Sequence, residues 1–555
     1  MKKIIKIISI ILAVVIIACA LSSCSGGEKN IDFIYPFNAD IASFDPQVAS
    51  TADEFLIIEN CFEGLVRVDD SGEIQKGAAE NWSVSNDGLV YTFKIKQGLK
   101  WRVLSNIEDK LTKAQELMGK DFNPDITAHD FVFALQRAVL PATECPLFAS
   151  ISSIENAVKI HNGKLSASKL GVKAIDDYTL EIRLTEADNS FISTLSTSVA
   201  MPCNEAYFNA TKGRYGLGLD YTIFNGQFYI KSILEASYIL DNNDQYKGDY
   251  PSNVSDITLK FIDSDTNIAK NLKSGYFDCA YLSGNDYDAL DDDEITATPY
   301  SNKMWAMVLN KNRQLLSSKT MRKAVCLSIS SIDLSEHKYL SKATNLIPPS
   351  CSIYGVSIDD AIGKTVDGYN PEKAVELWKK GLSEEGFTSA SFTVIAPENM
   401  EDVVKKYVQG IQGSIGKVSA YRYNGDTNQI SFSLEVKLLS NEDFASAFNK
   451  GEYDLALYQF EATSSNAEVF LKKIIDGNYA GEIKSVNDAL KKAQASNAKN
   501  AAKNIGACEK ELLGDYSIFP VMYESSYYAM AKGVSGVNFH AGSGRVSFVY
   551  ANREN

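Results

Sequence analysis

A mixed α/β protein of two or more lobes is what this sequence predicts, and three observations predict it. Its 555 residues are more than one hydrophobic core supports, so two or three bodies are expected. Strand-like and helix-like patterns alternate along the whole chain, with no short repeat and no low-complexity tract. One supersecondary joint also occurs twice. Asp265-Thr266 opens a helix that ends at Gly275 and leads into the apolar run Cys279-Ala280-Tyr281-Leu282. Asn441 opens another that ends at Gly451 and leads into Leu455-Ala456-Leu457-Tyr458. Each glycine suits a left-handed helix cap. A joint common to all α/β proteins is one reading. Two lobes of similar build, with a ligand cleft between them, is the other.

The elements follow in chain order. Met1-Lys2-Lys3 and Lys6 give a basic start, and Ile7 to Ala20 is almost wholly apolar. Fourteen helical residues span roughly 21 Å, short of the ~30 Å hydrocarbon core of a bilayer, so residues 1–23 read as an export signal. Leu21-Ser22-Ser23-Cys24 resembles a bacterial lipobox, which implies a lipid on Cys24 and a mature chain beginning there. Residues 24–30 then read as a flexible tether. Leu89, Tyr91, Phe93 and Ile95 alternate with polar residues behind the turn signal Asn86-Asp87-Gly88, which predicts a half-buried strand. Tyr178, Leu180, Ile182 and Leu184 predict another. Thr127 and Asp130 have capping-box spacing ahead of a helix through Phe131 to Leu140, which Pro141 stops. Asn370-Pro371 starts a helix with Ala374, Val375, Trp378 and Leu382 on one face.

Composition narrows the function. With 45% hydrophobic and 23% charged residues the chain is globular, not disordered. Fifty-five basic against 70 acidic residues give −15, and loss of Met1–Ser23, with three Lys and no acid, leaves −18. There is no basic footprint for nucleic acid. The seven Cys outside the export segment are scattered, odd in number and without a CxxC, so buried thiols are expected rather than disulfides or a metal cluster. His129, His161, His337 and His540 have no ligand spacing, and no metal or cofactor is expected. Gly413-Ser414-Ile415-Gly416-Lys417 only loosely matches a phosphate loop: its first Gly is misplaced, Val418 stands where Ser or Thr belongs, and the preceding stretch is helical. Asp291-Asp292-Asp293-Glu294 lacks the Gly of a calcium loop and reads as a solvated turn. No nucleophile elbow occurs. Binding is favoured over catalysis.

Several motifs then run in order: Ser43-Phe44-Asp45-Pro46; Phe62-Glu63-Gly64-Leu65-Val66; Gly77-Ala78-Ala79-Glu80-Asn81-Trp82; Lys100-Trp101; Ile126-Thr127-Ala128-His129-Asp130-Phe131; Gly171 to Glu181; Asn225-Gly226; Tyr246; Asn310; Met321-Arg322-Lys323-Ala324; and Ile518-Phe519-Pro520-Val521. Together they resemble the family 5 extracellular solute-binding proteins, and Gly171 to Glu181 is similar to the oligopeptide-binding branch. The resemblance covers nearly the whole mature chain.

It implies an α/β type II periplasmic-binding-protein fold, with two lobes around a cleft plus an extra N-terminal subdomain. Lobe I would take residues 31–284 and 531–555, with the subdomain at 70–190; lobe II would take 285–530. It further implies a monomeric, lipid-anchored receptor at the outer face of the cytoplasmic membrane, not an enzyme, which hands peptides to the permease and ATPase of an ABC importer. A peptide sensor without transport, or a receptor for a nickel chelate or an oligosaccharide, remains the alternative. The site residues carried over are Ser43, Asn225, Trp305, Gln459, Phe460, Glu461 and Thr463. For Trp305 core packing competes, and for Asn225 a plain turn. Three departures stand out. Thr463 occupies the place of the Asp that binds a peptide ammonium in relatives, and a hydroxyl cannot supply that charge-assisted bond; Glu461 is expected to take over, or the ligand lacks a free amino terminus. Leu104–Asn123 is an insert. Ser330-Ser331-Ile332-Asp333 lacks the usual basic residue after its Asp.

Overall fold

Alternating apolar residues build three main sheets, and the order in which the chain visits them sets the architecture. The computed structural model describes residues 32–554 apart from 39–40, 70–72, 103–112, 120–121, 189, 253, 264, 289, 291–294, 354–355, 367, 388, 421–430, 463–464, 478, 480–483, 495–497 and 541–544. The export segment, the tether with Cys24, the acidic run at 291–294, Thr463 and most of the 104–123 insert lie outside the described residues.

The first sheet opens with β1 (Asp32–Phe37), whose Phe33, Tyr35 and Phe37 are buried. Helix α1 (Ala52–Cys61) follows behind a capping box made by Thr51 and Glu54. The chain then leaves to make an antiparallel sheet of β2 (Ala79–Val84), β3 (Val90–Ile95), β4 (Val172–Asp176) and β5 (Thr179–Arg183), in the order β2-β3-β5-β4. Tyr91, Phe93, Ile95, Leu180 and Ile182 face its core, as the alternation requires. Helix α2 (Ala128–Ala138) packs on β4 and β5. Strands β6 (Phe228–Leu234), β7 (Ser237–Asn242) and β8 (Asp256–Phe261) return to the first sheet, order β1-β8-β7-β6, with β1 parallel to β8. The second sheet is thus an insertion into the first.

The third sheet has seven strands. It contains β9 (Cys279–Leu282), β10 (Thr296–Leu309), β11 (Ser389–Pro397), β12 (Ser431–Leu439), β13 (Leu455–Glu461) and β14 (Ile518–Met530) in the order β9-β14-β10-β13-β11-β12, and the short strand Leu340–Lys342 joins β14. Helices cover both faces. Trp305, Met307 and Leu309 belong to the same core as Val325, Trp378 and Tyr407. The alternate residues Met304, Ala306 and Val308 belong to a second core with Phe444, Phe448, Phe470 and Ile505.

Both repeated joints form. Gly275 (φ +72°) and Gly451 (φ +69°) adopt left-handed caps that a β-carbon disfavours. The first helix starts later than expected, at Ile268: Asn267 supplies the cap to the Lys270 N–H, while Asp263 and Thr266 close a separate turn. Asn310 explains its place in the motif series, because its amide donates to the carbonyls of Gly451 (3.1 Å) and Tyr453 (3.0 Å) and so clamps the second joint to β10. The segment Gly413–Lys417 lies inside the helix Glu401–Ala420, so it forms no phosphate loop.

Two features tie the bodies together. β10 has 14 residues and spans about 45 Å. Its C-terminal half pairs with Ile518–Glu524 in the third sheet, while Thr296–Pro299 meet Tyr527–Met530, which also pair with β9. β9 in turn touches β1. The C-terminal tail folds back on the first sheet: Asn60 Nδ2 donates to Val546 O (2.7 Å), Phe548 N donates to Asn60 Oδ1 (3.0 Å), and Arg553 pairs with Asp278.

Candidate functional site

Strand register collects a polar group where β10, β13 and β14 run side by side. Lys303 lies opposite Glu461 on one neighbour and Glu524 on the other, and Trp305 lies opposite Gln459. Alternation puts these side chains on one face. Glu524 is their hub: Lys303 Nζ donates to its Oε1 (3.0 Å), and Trp305 Nε1 (2.7 Å) and Gln459 Nε2 (3.1 Å) donate to its Oε2. Burial pulls the Lys303 ammonium down, but Glu524 outweighs it and leaves Lys303 above its ordinary pKa. Tyr281 of β9 stands within electrostatic reach of Lys303, Glu461 and Glu524, and burial raises its phenol.

Glu461 differs from Glu524. It is exposed, it accepts from Asn302 Nδ2 (3.0 Å), and among the described residues no cation pairs with its carboxylate. Its backbone is also accessible to pairing. β11 pairs β13 only at Val394–Leu455 and Ile395–Ala456, so among the described residues Leu457–Glu461 have no strand partner on the side away from β10. Only the Lys473 ammonium reaches the Glu461 carbonyl (2.9 Å).

Ser43, Asn225 and Phe460 fall elsewhere, and Trp305 is closed to a guest. Phe460 points to the opposite face and packs edge-on against Tyr458 and Tyr479 in the second core. Trp305 is buried, with its indole N–H committed to Glu524. Asn225 is buried, and both ends of its amide are used by the Glu63 backbone (3.1 and 2.8 Å). Thr463 lies outside the described residues. Ser43 sits on the other body, and its Oγ accepts from Asp45 N (3.0 Å). Its loop is closely built. The Glu54 carboxylate accepts from the N–H groups of Ala42, Ser43, Ser50 and Thr51; burial raises its pKa, but these bonds prevail and hold it low. Asp45 forms a buried ion pair with Arg137 of α2. Gly216 closes over the loop with φ +79°, and a β-carbon there would lie 2.5 Å from Asp45 N.

The structure thus brings Trp305, Gln459 and Glu461 together and separates Ser43, Asn225 and Phe460 from that row. Sequence reasoning missed Lys303, Glu524, Asn302 and Tyr281. A signal for Glu524 existed: it is the one ionisable acid in the otherwise apolar or neutral run Ile518–Met530. Among the described residues no group of His, Cys, Asp and Glu is arranged to hold a metal ion, and the seven described Cys are buried and form no disulfide.

Comparison with known proteins decides the family. Residues 73–481, well over half of the chain, match the model of the bacterial extracellular solute-binding proteins, family 5. The chain belongs to this family. Among its relatives is a "Dipeptide-binding protein" of Lactococcus lactis subsp. cremoris, 25% identical, with 97% of each chain aligned. The periplasmic oligopeptide-binding protein OppA of Haemophilus influenzae is also 25% identical over 87% of this chain and 86% of its own. The fold matches that of Listeria monocytogenes OppA bound to peptide (TM-score 0.67, 20% identity, 95% of this chain and 100% of the other). It also matches the unliganded open form of the murein tripeptide binding protein MppA (TM-score 0.72, 20% identity, 95% and 98%). The type II binding-protein architecture expected for family 5 is therefore the one observed. No helix among the described residues is long and apolar enough to cross a membrane.

Proposed function

We propose that this family 5 protein is the peptide-capturing subunit of an ABC importer, held at the outer face of the cytoplasmic membrane by a lipid on Cys24. Lobe I comprises residues 31–284 and 531–555 and carries the subdomain 70–190; lobe II comprises 285–530. The hinge is the place where β9, β10 and β14 run together. The observation that carries the reading is the edge Leu457–Glu461, which among the described residues has no strand partner on the side away from β10 and ends in an exposed carboxylate with no ion pair. An extended peptide adds its main chain to such an edge, and every peptide offers the same N–H and C=O pattern whatever its side chains. Its ammonium meets Glu461, which replaces the Asp that Thr463 displaces. The hub at Glu524 holds Lys303, Trp305 and Gln459 as a fixed floor beneath it. Closure removes water from these bonds, so a guest that leaves them unmade is rejected. No bond of the guest is broken.

Native mass spectrometry tests the proposal. Protein purified without denaturation, its ligand released and sequenced, is expected to yield intact peptides with free amino termini. Recovery of a non-peptide solute alone, or of peptides shortened on incubation, contradicts it.

A further inference from the structure

The bonds on the paired side of β13 fix which of its main-chain groups turn to the open side. Asn310 N donates to Asp454 O (2.9 Å) and Ala462 N donates to Asn302 O (2.8 Å), in the same register as the rest of the β10–β13 pair. The direction of these groups alternates residue by residue in an antiparallel pair. Even-numbered residues of β13 therefore face β10, and odd-numbered ones face away. Gln459 presents its N–H and C=O to the open side, and Glu461 presents its N–H, its C=O being held by Lys473. Pairing with β11 stops as that strand ends at Pro397, which has no N–H to continue it.

The face of β13 opposite the Glu524 row is aromatic. The Tyr458 ring stacks on Phe448, from the helix Asn441–Lys450, with 4.1 Å between centroids, and it meets Phe460 edge-on at 4.9 Å. Tyr479 lies 5.5 Å from Tyr458 and 5.0 Å from Phe460, and the hydroxyls of Tyr458 and Tyr479 are 3.4 Å apart. Phe448 and Phe460 are buried, whereas Tyr458 and Tyr479 are half-buried. Along the open stretch the side chains thus alternate in kind: Glu461 and Gln459 on the polar face, Phe460 and Tyr458 on the aromatic one.

We propose that Tyr458 selects the fourth residue of a bound peptide, favouring an aromatic side chain there, while the third residue is read through its main chain alone. The inference rests on the peptide reading above, with the ammonium at Glu461. A guest that starts there and follows the open stretch toward Leu457 runs antiparallel to β13. Its first residue lies opposite Glu461, its third opposite Gln459 and its fourth opposite Tyr458. The third exchanges both main-chain bonds with Gln459. The fourth makes the pair without main-chain bonds, in which the Cα atoms approach to about 4.5 Å and the side chains meet most closely. Residues directly opposite share a face, so the fourth side chain lies against the Tyr458 ring and the third lies on the side of Gln459. An aromatic pair stabilises beyond the area it buries.

Titration calorimetry with hexapeptides of Ala and Ser, carrying one Phe at position three, one at position four, or none, tests the selection. Phe at position four is expected to tighten binding about tenfold over the peptide without Phe, and Phe at position three to change it by less than about twofold. Tyr458→Thr, which keeps a strand-forming residue, is expected to abolish the gain at position four, and Tyr458→Phe, which keeps the ring, to retain it. Should Tyr458→Thr fail to fold, the three peptides on the parent protein and on Tyr458→Phe still decide. A gain at position three as large as that at four, no gain at either position, or a gain that survives in Tyr458→Thr overturns the selection and leaves peptide capture standing. Binding of none of the three peptides overturns peptide capture, and the selection with it.

Discussion

At the scale of single residues, two carboxylates on one sheet face do different work. Glu524 spends its acceptor capacity on Lys303, Trp305 and Gln459, whereas Glu461 accepts from the Asn302 amide and has no ion pair among the described residues. Glu461→Gln should therefore weaken binding of peptides with a free ammonium by about tenfold to a hundredfold, the worth of a charge-assisted bond. Amino-terminally acetylated peptides should bind the variant and the parent alike. Titration calorimetry with both ligand types reads the difference, and equal affinity of the variant for free peptides excludes this role. The residue scale is also where the sequence was least legible. Gln459 and Glu461 were within reach because they lie on a strand with a family counterpart, and Trp305 because it precedes Asn310 of the motif series. Lys303 and Glu524 were not, because their meeting depends on register across three strands separated by up to 221 residues in sequence.

At the scale of elements, local chemistry was enough. Thr127–Asp130, Asn370-Pro371 and the glycines at 275 and 451 act as their types require, since caps and left-handed turns depend on nearest neighbours only. Burial of the helix Pro371–Glu385 through Ala374, Val375, Trp378 and Leu382 follows from helical spacing in the same way. Long-range joins were invisible. Arg137 of α2 meets Asp45 across 92 residues, with Gln47, Cys203 and the Phe208 ring around it. Arg137→Met would leave Asp45 buried and unpaired, and should cost about 3–5 kcal/mol in chemical denaturation. A loss below 1 kcal/mol would show that the pair contributes little to this loop. Glu509 gives an element-scale pH dependence. Its Oε1 accepts from Leu346 N (2.6 Å) and Thr365 Oγ1 (2.5 Å), its Oε2 has no partner among the described residues, and burial raises it to about 7. Because the folded pKa lies above the unfolded one, its stabilising contribution is complete below the ordinary carboxylate value of about 4.3 and is lost as pH climbs through about 7. Wild-type unfolding free energy should be higher at pH 5 than at pH 8, and Glu509→Gln should reduce that difference. An identical slope in the variant would assign the effect to another group.

At the scale of the whole molecule, the ordered motif series carried the architecture where composition could offer only a count of bodies. An insertion between β1 and β6, a seven-stranded second body and a C-terminal tail returned to the first sheet are properties of chain order. Order is preserved across relatives that share only a quarter of their residues. The state of closure is not encoded in this way. On the proposed function it depends on a balance between the strip where β9, β10 and β14 pair and whatever occupies the space beside Leu457–Glu461, and such balances move by a few kcal/mol. Small-angle X-ray scattering of the purified protein, with and without a saturating mixture of defined peptides of several lengths, tests the central claim most directly. The account predicts a smaller radius of gyration with peptide bound, and peptides recovered unaltered afterwards. Bound peptide with an unchanged radius, or recovered fragments in place of the added peptides, would contradict it.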